Sequence, residues 1–156
     1  MGAEVGKPAP AFTLAGSDNT DAGRRDYSLE EYRGQVVVLV FYPGDSTPVC
    51  TRQLNAYTED IDSFTEAGAQ VLAVSPQSVE SHEEFSCKQG GFAFPLLADA
   101  DKAVGEAYGI LGPLGFYRRS AFVIDAEGVV RYAHRAVAGL TFRSTQELVE
   151  AVKATS

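Results

Sequence analysis

The stretch FYPGDSTPVCTRQ, residues 41–53, carries one of the two cysteines of the chain, Cys50, at the start of a predicted helix. Thr47 is a favourable N-cap residue and Pro48 is favoured at the first helical position, so Cys50 is predicted at the third. Backbone N–H groups in that first turn lack helical partners and form the positive end of the helix dipole. A thiolate is stabilised there as a carboxylate is, so the pattern indicates a reactive cysteine.

Apolar patterning on both sides of this stretch predicts an α/β fold. The runs VVVLVFY at 36–42 and AQVLAVS at 69–75 resemble strands that are covered on both faces. Residues 48–67 between them predict one helix, because apolar side chains recur at helical spacing. The members of this stripe are Leu54, Tyr57, Ile61 and Phe64.

The rest of the chain completes a mixed sheet with flanking helices. Helices are predicted at 78–91, 100–110 and 144–155, an extended segment at 94–99, a loop at 111–117 and a hairpin from RSAFVID to VVRYAHR. Upstream lie an N-terminal extension with a short strand at 11–16, a turn-rich segment at 18–26 and a helical turn at 28–34. This order is that of a thioredoxin-like fold, and we expect one domain over residues 1–156.

Composition excludes several classes of protein. The chain has 13 basic and 21 acidic residues, a net charge of -8, so a nucleic-acid partner is not expected. The longest apolar run is too short to span a bilayer, and the N-terminus does not resemble a signal peptide, so we expect a cytoplasmic protein with no membrane partner. Two cysteines and two histidines fit no zinc spacing, and no metal or cofactor is expected.

Other interpretations of Cys50 are weaker. A free cysteine is often an inert, small apolar residue, but the cap, the proline and the strand-loop-helix context argue against that here. The sequence has neither a C-x-x-C dithiol motif nor a C-x-x-x-C copper motif. A Cys–His hydrolase would need His82 or His134 as a base, and neither has a local signature for that role.

The sequence resembles the peroxiredoxin family. Pro43, Thr47 and Cys50 match the active-site pattern P-x-x-x-T-x-x-C, and TPVCT looks like the bacterioferritin comigratory protein, or Q-type, subfamily. The resemblance covers nearly the whole chain, including VGKPAPAFTL near the N-terminus and the late hairpin. It implies a thiol-dependent peroxidase that reduces hydrogen peroxide and organic hydroperoxides.

The resemblance also implies a role for each matched residue. Cys50 is the expected peroxidatic cysteine, which peroxide oxidises to a sulfenic acid. Thr47 is expected to hydrogen-bond the peroxide and the sulfur, and Pro43 to wall the pocket. Arg119 corresponds to the arginine of the family, whereas its neighbour Arg118 is expected to point to the opposite face of the strand.

The opening stretch contains two further polar residues beside the motif. Asp45 and Gln53 flank the motif, and both are expected to be polar surface or loop residues, with a supporting role behind the reacting groups as the alternative.

The second cysteine is the candidate for resolving the sulfenic acid. Many Q-type proteins carry a resolving cysteine five residues after the first, but that position here is Asn55. A subset of the family has it on the helix that contains Cys87, where Glu83 and Glu84 predict a polar, accessible face. The resemblance then implies a Cys50–Cys87 disulfide that thioredoxin or a similar dithiol protein recycles.

The sequence is also compatible with two alternatives to a two-cysteine peroxidase. Cys87 could be a bystander in a one-cysteine peroxidase, or the chain could be a redox sensor or binding module on the thioredoxin fold. We expect a monomer.

Overall fold

The computed structural model describes residues 3–18, 24–45, 47–112, 115–135 and 142–155. Seven described strands form one mixed sheet, in the order β2-β1-β5-β4-β3-β6-β7. The strands are β1 (Thr13–Ser17), β2 (Arg24–Ser28), β3 (Val36–Phe41), β4 (Ala69–Ser75), β5 (Leu96–Ala98), β6 (Ser120–Ile124) and β7 (Val130–Arg135). The helices are α1 (Pro48–Glu59), α2 (Ile61–Glu66), α3 (Val79–Lys88), α4 (Ala103–Ala107) and α5 (Thr145–Lys153), with a 3-10 helix at Leu29–Tyr32.

The centre of the sheet is β3, which pairs in parallel with β4 and antiparallel with β6. Successive side chains of a strand point to opposite faces, and β3 divides accordingly between two apolar cores. Val38 and Val40 pack on the face covered by α1, α2, α3 and α5, whereas Val37 and Leu39 pack on the face that meets the 3-10 helix and the N-terminal segment. The prediction of a strand that is covered on both sides is confirmed.

The predicted helix over 48–67 is wrong in one respect, because the structure contains two helices there. Asp60 leaves helical geometry, with φ -100° and ψ 18°, and it ends α1 and begins α2. Aspartate favours such positions, since its side chain competes for backbone hydrogen bonds. The apolar stripe survives the break, because Leu54 and Phe64 on the two helices are both fully buried.

Two further boundaries differ from the predictions. The strand β2 lies partly inside the segment predicted as turn-rich, of which 19–23 lie outside the described residues. It is an edge strand with three exposed residues, so it carries no apolar alternation. The helix predicted at 100–110 is reduced to α4, because the Asp99 carboxylate accepts hydrogen bonds from the N–H groups of Val104 and Gly105 and sets the start of the helix.

The remaining predicted elements are present. The hairpin of β6 and β7 turns at Gly128, whose φ of 86° favours glycine. In the predicted loop at 111–117, residues 113 and 114 lie outside the described part of the chain. Among the described residues, no helix is both long and apolar enough to cross a membrane.

Candidate active site

The site is built where β3 ends and α1 begins. Thr47 is the N-cap residue, Pro48 the first helical residue, and Cys50 therefore stands in the first turn, as predicted. The Cys50 side chain is fully buried in the apolar core between the sheet and the helices. Burial on this scale removes the sulfur from bulk water, so its reactivity depends on the few polar groups that reach it.

Arg119 is the polar group that reaches the sulfur. One guanidinium nitrogen of Arg119 lies 3.2 Å from Sγ of Cys50 and 2.6 Å from Oε1 of Gln53. The arginine is only 4% exposed, so its charge acts on the sulfur with little screening by solvent. A guanidinium in this position stabilises a thiolate and can also stabilise the negative charge that develops on a leaving oxygen.

The structure separates the two neighbouring arginines as strand alternation predicts. Arg119 is buried against Cys50, whereas Arg118 is half-buried and packs beside Gly112. The backbone N–H of Arg118 donates to the carbonyl oxygen of Ile110. This hydrogen bond fixes the segment that directly precedes the strand β6.

Gln53 is a site residue that the sequence interpretation placed wrongly. It was expected at the surface, yet it is 1% exposed and accepts a hydrogen bond from Arg119. The signal was available in its spacing, because Gln53 lies three residues after Cys50 and so shares its helix face. The amide holds the guanidinium beside the sulfur.

Thr47 and Pro43 lie between the end of β3 and the start of α1. The hydroxyl of Thr47 does not cap the helix; it donates to the carbonyl oxygen of Gly44 at 3.1 Å. Both Thr47 and Pro43 are exposed at the residue level, so they stand on the solvent side of Cys50. Their predicted roles toward peroxide stay predictions.

Asp45 lies in a loop, as expected, but it is buried and not at the surface. Its carboxylate is buried and accepts hydrogen bonds from Tyr42, at 2.7 Å, and from Ser81 and His82 on α3. No local pattern reveals this cluster, because His82 lies 37 residues further along the chain. Burial and the adjacent Asp45 raise the pKa of the Tyr42 hydroxyl well above its ordinary value, so Tyr42 stays protonated and donates.

Cys87 stands on a different helix from Cys50. It lies near the end of α3 and is exposed, as its polar helix face predicted, and both thiols are free. The end of α3 meets α1 through Asn55, whose side-chain amide donates to that of Gln89 at 3.0 Å. The segment that bears Cys87 therefore touches the helix that bears Cys50.

Comparison with known proteins identifies this arrangement. The sequence pattern of the AhpC/TSA family matches residues 5–133. The chain belongs to the AhpC/TSA family of peroxiredoxins. It is a thiol-dependent peroxidase, an oxidoreductase that acts on peroxide with the help of a thioredoxin-type reductant.

Known peroxiredoxins are similar in sequence to this chain over most of its length. Peroxiredoxin-2 of Rattus norvegicus is 40% identical over 136 residues, which span 83% of this chain and 68% of that protein. The putative peroxiredoxin bcp of Coxiella burnetii is 37% identical over 137 residues, covering 83% of this chain and 87% of the relative. The predicted likeness to bcp-type peroxiredoxins is confirmed.

A solved structure confirms the thioredoxin-like peroxiredoxin fold. The bacterioferritin comigratory protein of Xanthomonas campestris, a protein with alkyl peroxide reduction activity, superposes with a TM-score of 0.78 at 36% identity. The match covers 92% of this chain and 90% of that one.

Proposed function

We propose that Cys50 is the peroxidatic cysteine and that Arg119 activates it. The observation that carries this assignment is the contact of 3.2 Å between a buried guanidinium and the buried sulfur. A buried charge needs a partner of opposite charge, and the thiolate of Cys50 supplies one. Gln53 holds the guanidinium in place, and the first turn of α1 adds the positive end of its dipole.

The first chemical step follows from this geometry. The Cys50 thiolate attacks one oxygen of the peroxide, an S–O bond forms, and the O–O bond breaks. The leaving oxygen departs as hydroxide or alkoxide and takes up a proton, which leaves Cys50 as a sulfenic acid. The guanidinium of Arg119 stabilises the leaving charge, and the Thr47 hydroxyl can turn from Gly44 to the peroxide.

Cys87 is proposed to resolve this sulfenic acid. Attack of the Cys87 thiol on the oxidised sulfur forms an S–S bond and releases water. Exposure of Cys87 and the contact between Asn55 and Gln89 support this assignment, because the thiol is accessible and its helix end already meets α1. A dithiol protein such as thioredoxin then exchanges with the disulfide and restores both thiols.

The proposal extends to the substrates and the setting of the protein. Organic hydroperoxides, besides hydrogen peroxide, are proposed because the similar Xanthomonas campestris protein has alkyl peroxide reduction activity. The net charge of -8 supports the absence of a nucleic-acid partner. A monomer, a cytoplasmic location, one domain and the absence of a membrane partner stay predictions.

Mass spectrometry of peroxide-treated protein tests the assignment of both thiols. One equivalent of hydrogen peroxide should give a product two hydrogens lighter than the reduced chain, with a peptide that joins Cys50 to Cys87. The variant Cys50→Ser should fold and should neither consume peroxide nor form this peptide. If Cys50→Ser consumes peroxide at the wild-type rate, the peroxidatic assignment is wrong. Slow oxidation without turnover by a dithiol reductant would favour a redox sensor instead.

A further inference from the structure

A buried carboxylate connects the loop before α1 to the helix α3. Asp45 accepts a hydrogen bond from the Tyr42 hydroxyl on Oδ1 at 2.7 Å, and it accepts one from Ser81 on Oδ2 at the same distance. The Nδ1 atom of His82 lies 2.8 Å from Oδ2 as well. The backbone N–H of Asp45 also donates to the side chain of Gln77, so the loop is tied at both its backbone and its carboxylate.

The surroundings of His82 determine how many protons its ring carries. The Nδ1 atom faces the carboxylate of Asp45, and Nε2 lies 2.8 Å from the carbonyl oxygen of Leu97 on β5. Both partners are acceptors, and the histidine is fully buried, so water is not at hand to replace either of them. A neutral imidazole has only one N–H group, so one of its two nitrogens would direct a lone pair at an acceptor. An imidazolium donates a hydrogen bond to both acceptors.

Asp45 is well placed to be the matching anion. Its two oxygens accept hydrogen bonds from Tyr42, Ser81 and His82. Tyr42, the other titratable group in contact with the pair, acts as a donor and brings no charge of its own. With Asp45 as a carboxylate and His82 as an imidazolium, the two charges compensate each other, as buried charges require.

We propose that Asp45 and His82 form a buried ion pair that positions the loop before α1 against α3 and restrains the movement of α3 that brings Cys87 to Cys50. Asp45 lies two residues before the N-cap Thr47, and His82 lies five residues before Cys87. The pair thus joins the two segments that carry the thiols. The inference about restraint rests on the proposed resolving role of Cys87, whereas the ion pair itself does not.

Removing either charge should loosen α3 while the apolar core persists. Breaking a buried pair leaves the remaining charge uncompensated, which favours conformations that expose it to water. The variants His82→Gln and Asp45→Asn keep side chains of similar size that still form hydrogen bonds, so they change the charge more than the packing. The matched control is Glu83→Gln on the same helix, which weakens an exposed ion pair with Arg24.

Nitrogen NMR of the reduced protein, labelled at histidine, tests the ion pair directly. The chain has two histidines, and His134→Asn assigns the spectrum. Both ring nitrogens of His82 should appear protonated at neutral pH, and the Nδ1 signal should move to its unprotonated position in Asp45→Asn. Burial and the nearby Arg143 lower the pKa of His134, so its neutral ring serves as the internal reference. A neutral His82 in the wild-type protein would overturn the proposal.

Hydrogen exchange and rapid-quench kinetics test the positioning role. In the reduced protein, amides of α3 should exchange at least about tenfold faster in His82→Gln and Asp45→Asn than in Glu83→Gln. After one equivalent of peroxide, disulfide formation should be faster in the first two variants by a similar factor, with less overoxidation of Cys50. Equal rates in His82→Gln and Glu83→Gln would refute the positioning role.

These two tests separate the ion pair from the resolving role of Cys87. If the wild-type protein forms no disulfide, Cys87 is not the resolving residue, yet the exchange of α3 in the reduced variants still decides whether the pair holds this helix. If His82→Gln does not fold, Asp45→Asn supplies the same comparison, since it preserves the shape of the carboxylate.

Discussion

At the scale of single residues, the reactivity of Cys50 depends on the guanidinium that contacts its sulfur. Arg119 lies 3.2 Å from Sγ, and its orientation depends on a second hydrogen bond, to Gln53. Both contacts are made by the same guanidinium nitrogen, whose two N–H groups can donate to the two acceptors at once. The amide of Gln53 therefore fixes the direction in which the guanidinium faces the sulfur.

Arg119→Ala should reduce kcat/KM for hydrogen peroxide by about 10²–10³-fold, the usual effect of losing one donor that stabilises developing charge. Arg118→Ala is the matched control: it removes the same charge one residue away, from a half-buried position beside Gly112. Its effect should be small. Stopped-flow measurement of peroxide consumption compares the two, and equal losses would contradict the assignment of Arg119.

The sequence predicted one half of this site better than the other. Cys50 follows from local rules for helix caps, and Arg119 follows from the family resemblance together with strand alternation. Gln53 and the pair of Asp45 and His82 were missed, since burial of a polar side chain depends on partners far away in the chain. Nothing in the local pattern distinguishes a buried aspartate from a solvated one.

At the scale of elements, the hairpin of β6 and β7 supports the segment that carries Arg119, which lies directly before β6. Asp125 ends β6, and its Oδ1 accepts hydrogen bonds from the N–H groups of Glu127 and Val129 at 3.0 and 2.9 Å. Its Oδ2 accepts from Arg131 at 2.7 Å. Burial opposes the charge on Asp125, but the bonds from Val129, Arg131 and Glu127 outweigh it and lower the pKa of the carboxyl.

Asp125→Ala should lower the free energy of unfolding at neutral pH by about 1–3 kcal/mol, because it leaves the N–H groups of the turn without their acceptor. A lowered folded-state pKa contributes stability above the unfolded pKa, and that contribution is lost as the pH falls through the folded value. Urea unfolding at pH 7 and at about pH 2 should therefore show a smaller difference between wild type and variant in acid. Glu84→Gln, which removes an exposed helix pair, is the control and should stay near wild type at both pH values.

The strongest sequence patterns at this scale were also the most accurate. β3 is apolar throughout and β4 is largely apolar because both lie in the middle of the sheet, so their composition alone identifies them. The edge strand β2 and the break at Asp60 were missed, since an exposed edge has no apolar periodicity and a single aspartate interrupts a helix without interrupting its apolar stripe.

At the scale of the whole molecule, disulfide formation requires α1 and α3 to change their relation. The Cα atoms of two bonded cysteines lie within about 7 Å. Because Cys50 is buried in α1 and Cys87 is exposed on α3, we expect at least one of the two helices to move or unwind. Several contacts hold the end of α3 and the residues after it, including the hydrogen bonds of Gln89 with Asn55 and of Ala93 with Thr58. These contacts must be broken or rearranged.

Oxidation should therefore loosen residues 83–91, where α3 ends. Gly90 and Gly91 have φ values of 84° and 94° and follow the helix directly, so the chain there can unwind at low cost. Hydrogen exchange followed by mass spectrometry should show faster exchange in this segment after one equivalent of peroxide, with β3 and β4 unchanged. Unchanged exchange at 83–91 in a protein shown to contain the disulfide would contradict the proposed unwinding.

The reaction of the Cys87→Ser variant with peroxide and thioredoxin decides whether the chain works as a two-cysteine or a one-cysteine peroxidase. Serine preserves the exposed polar surface of α3 but cannot attack a sulfenic acid, so Cys50 should react once with peroxide and then stall. With excess peroxide the variant should advance to the sulfinic acid, and thioredoxin should no longer recycle it, because the disulfide that thioredoxin attacks cannot form. Ser86→Ala, at the neighbouring buried position, is the control for disturbance of the helix and should still form the disulfide. Turnover of Cys87→Ser with thioredoxin at the wild-type rate would make Cys87 a bystander.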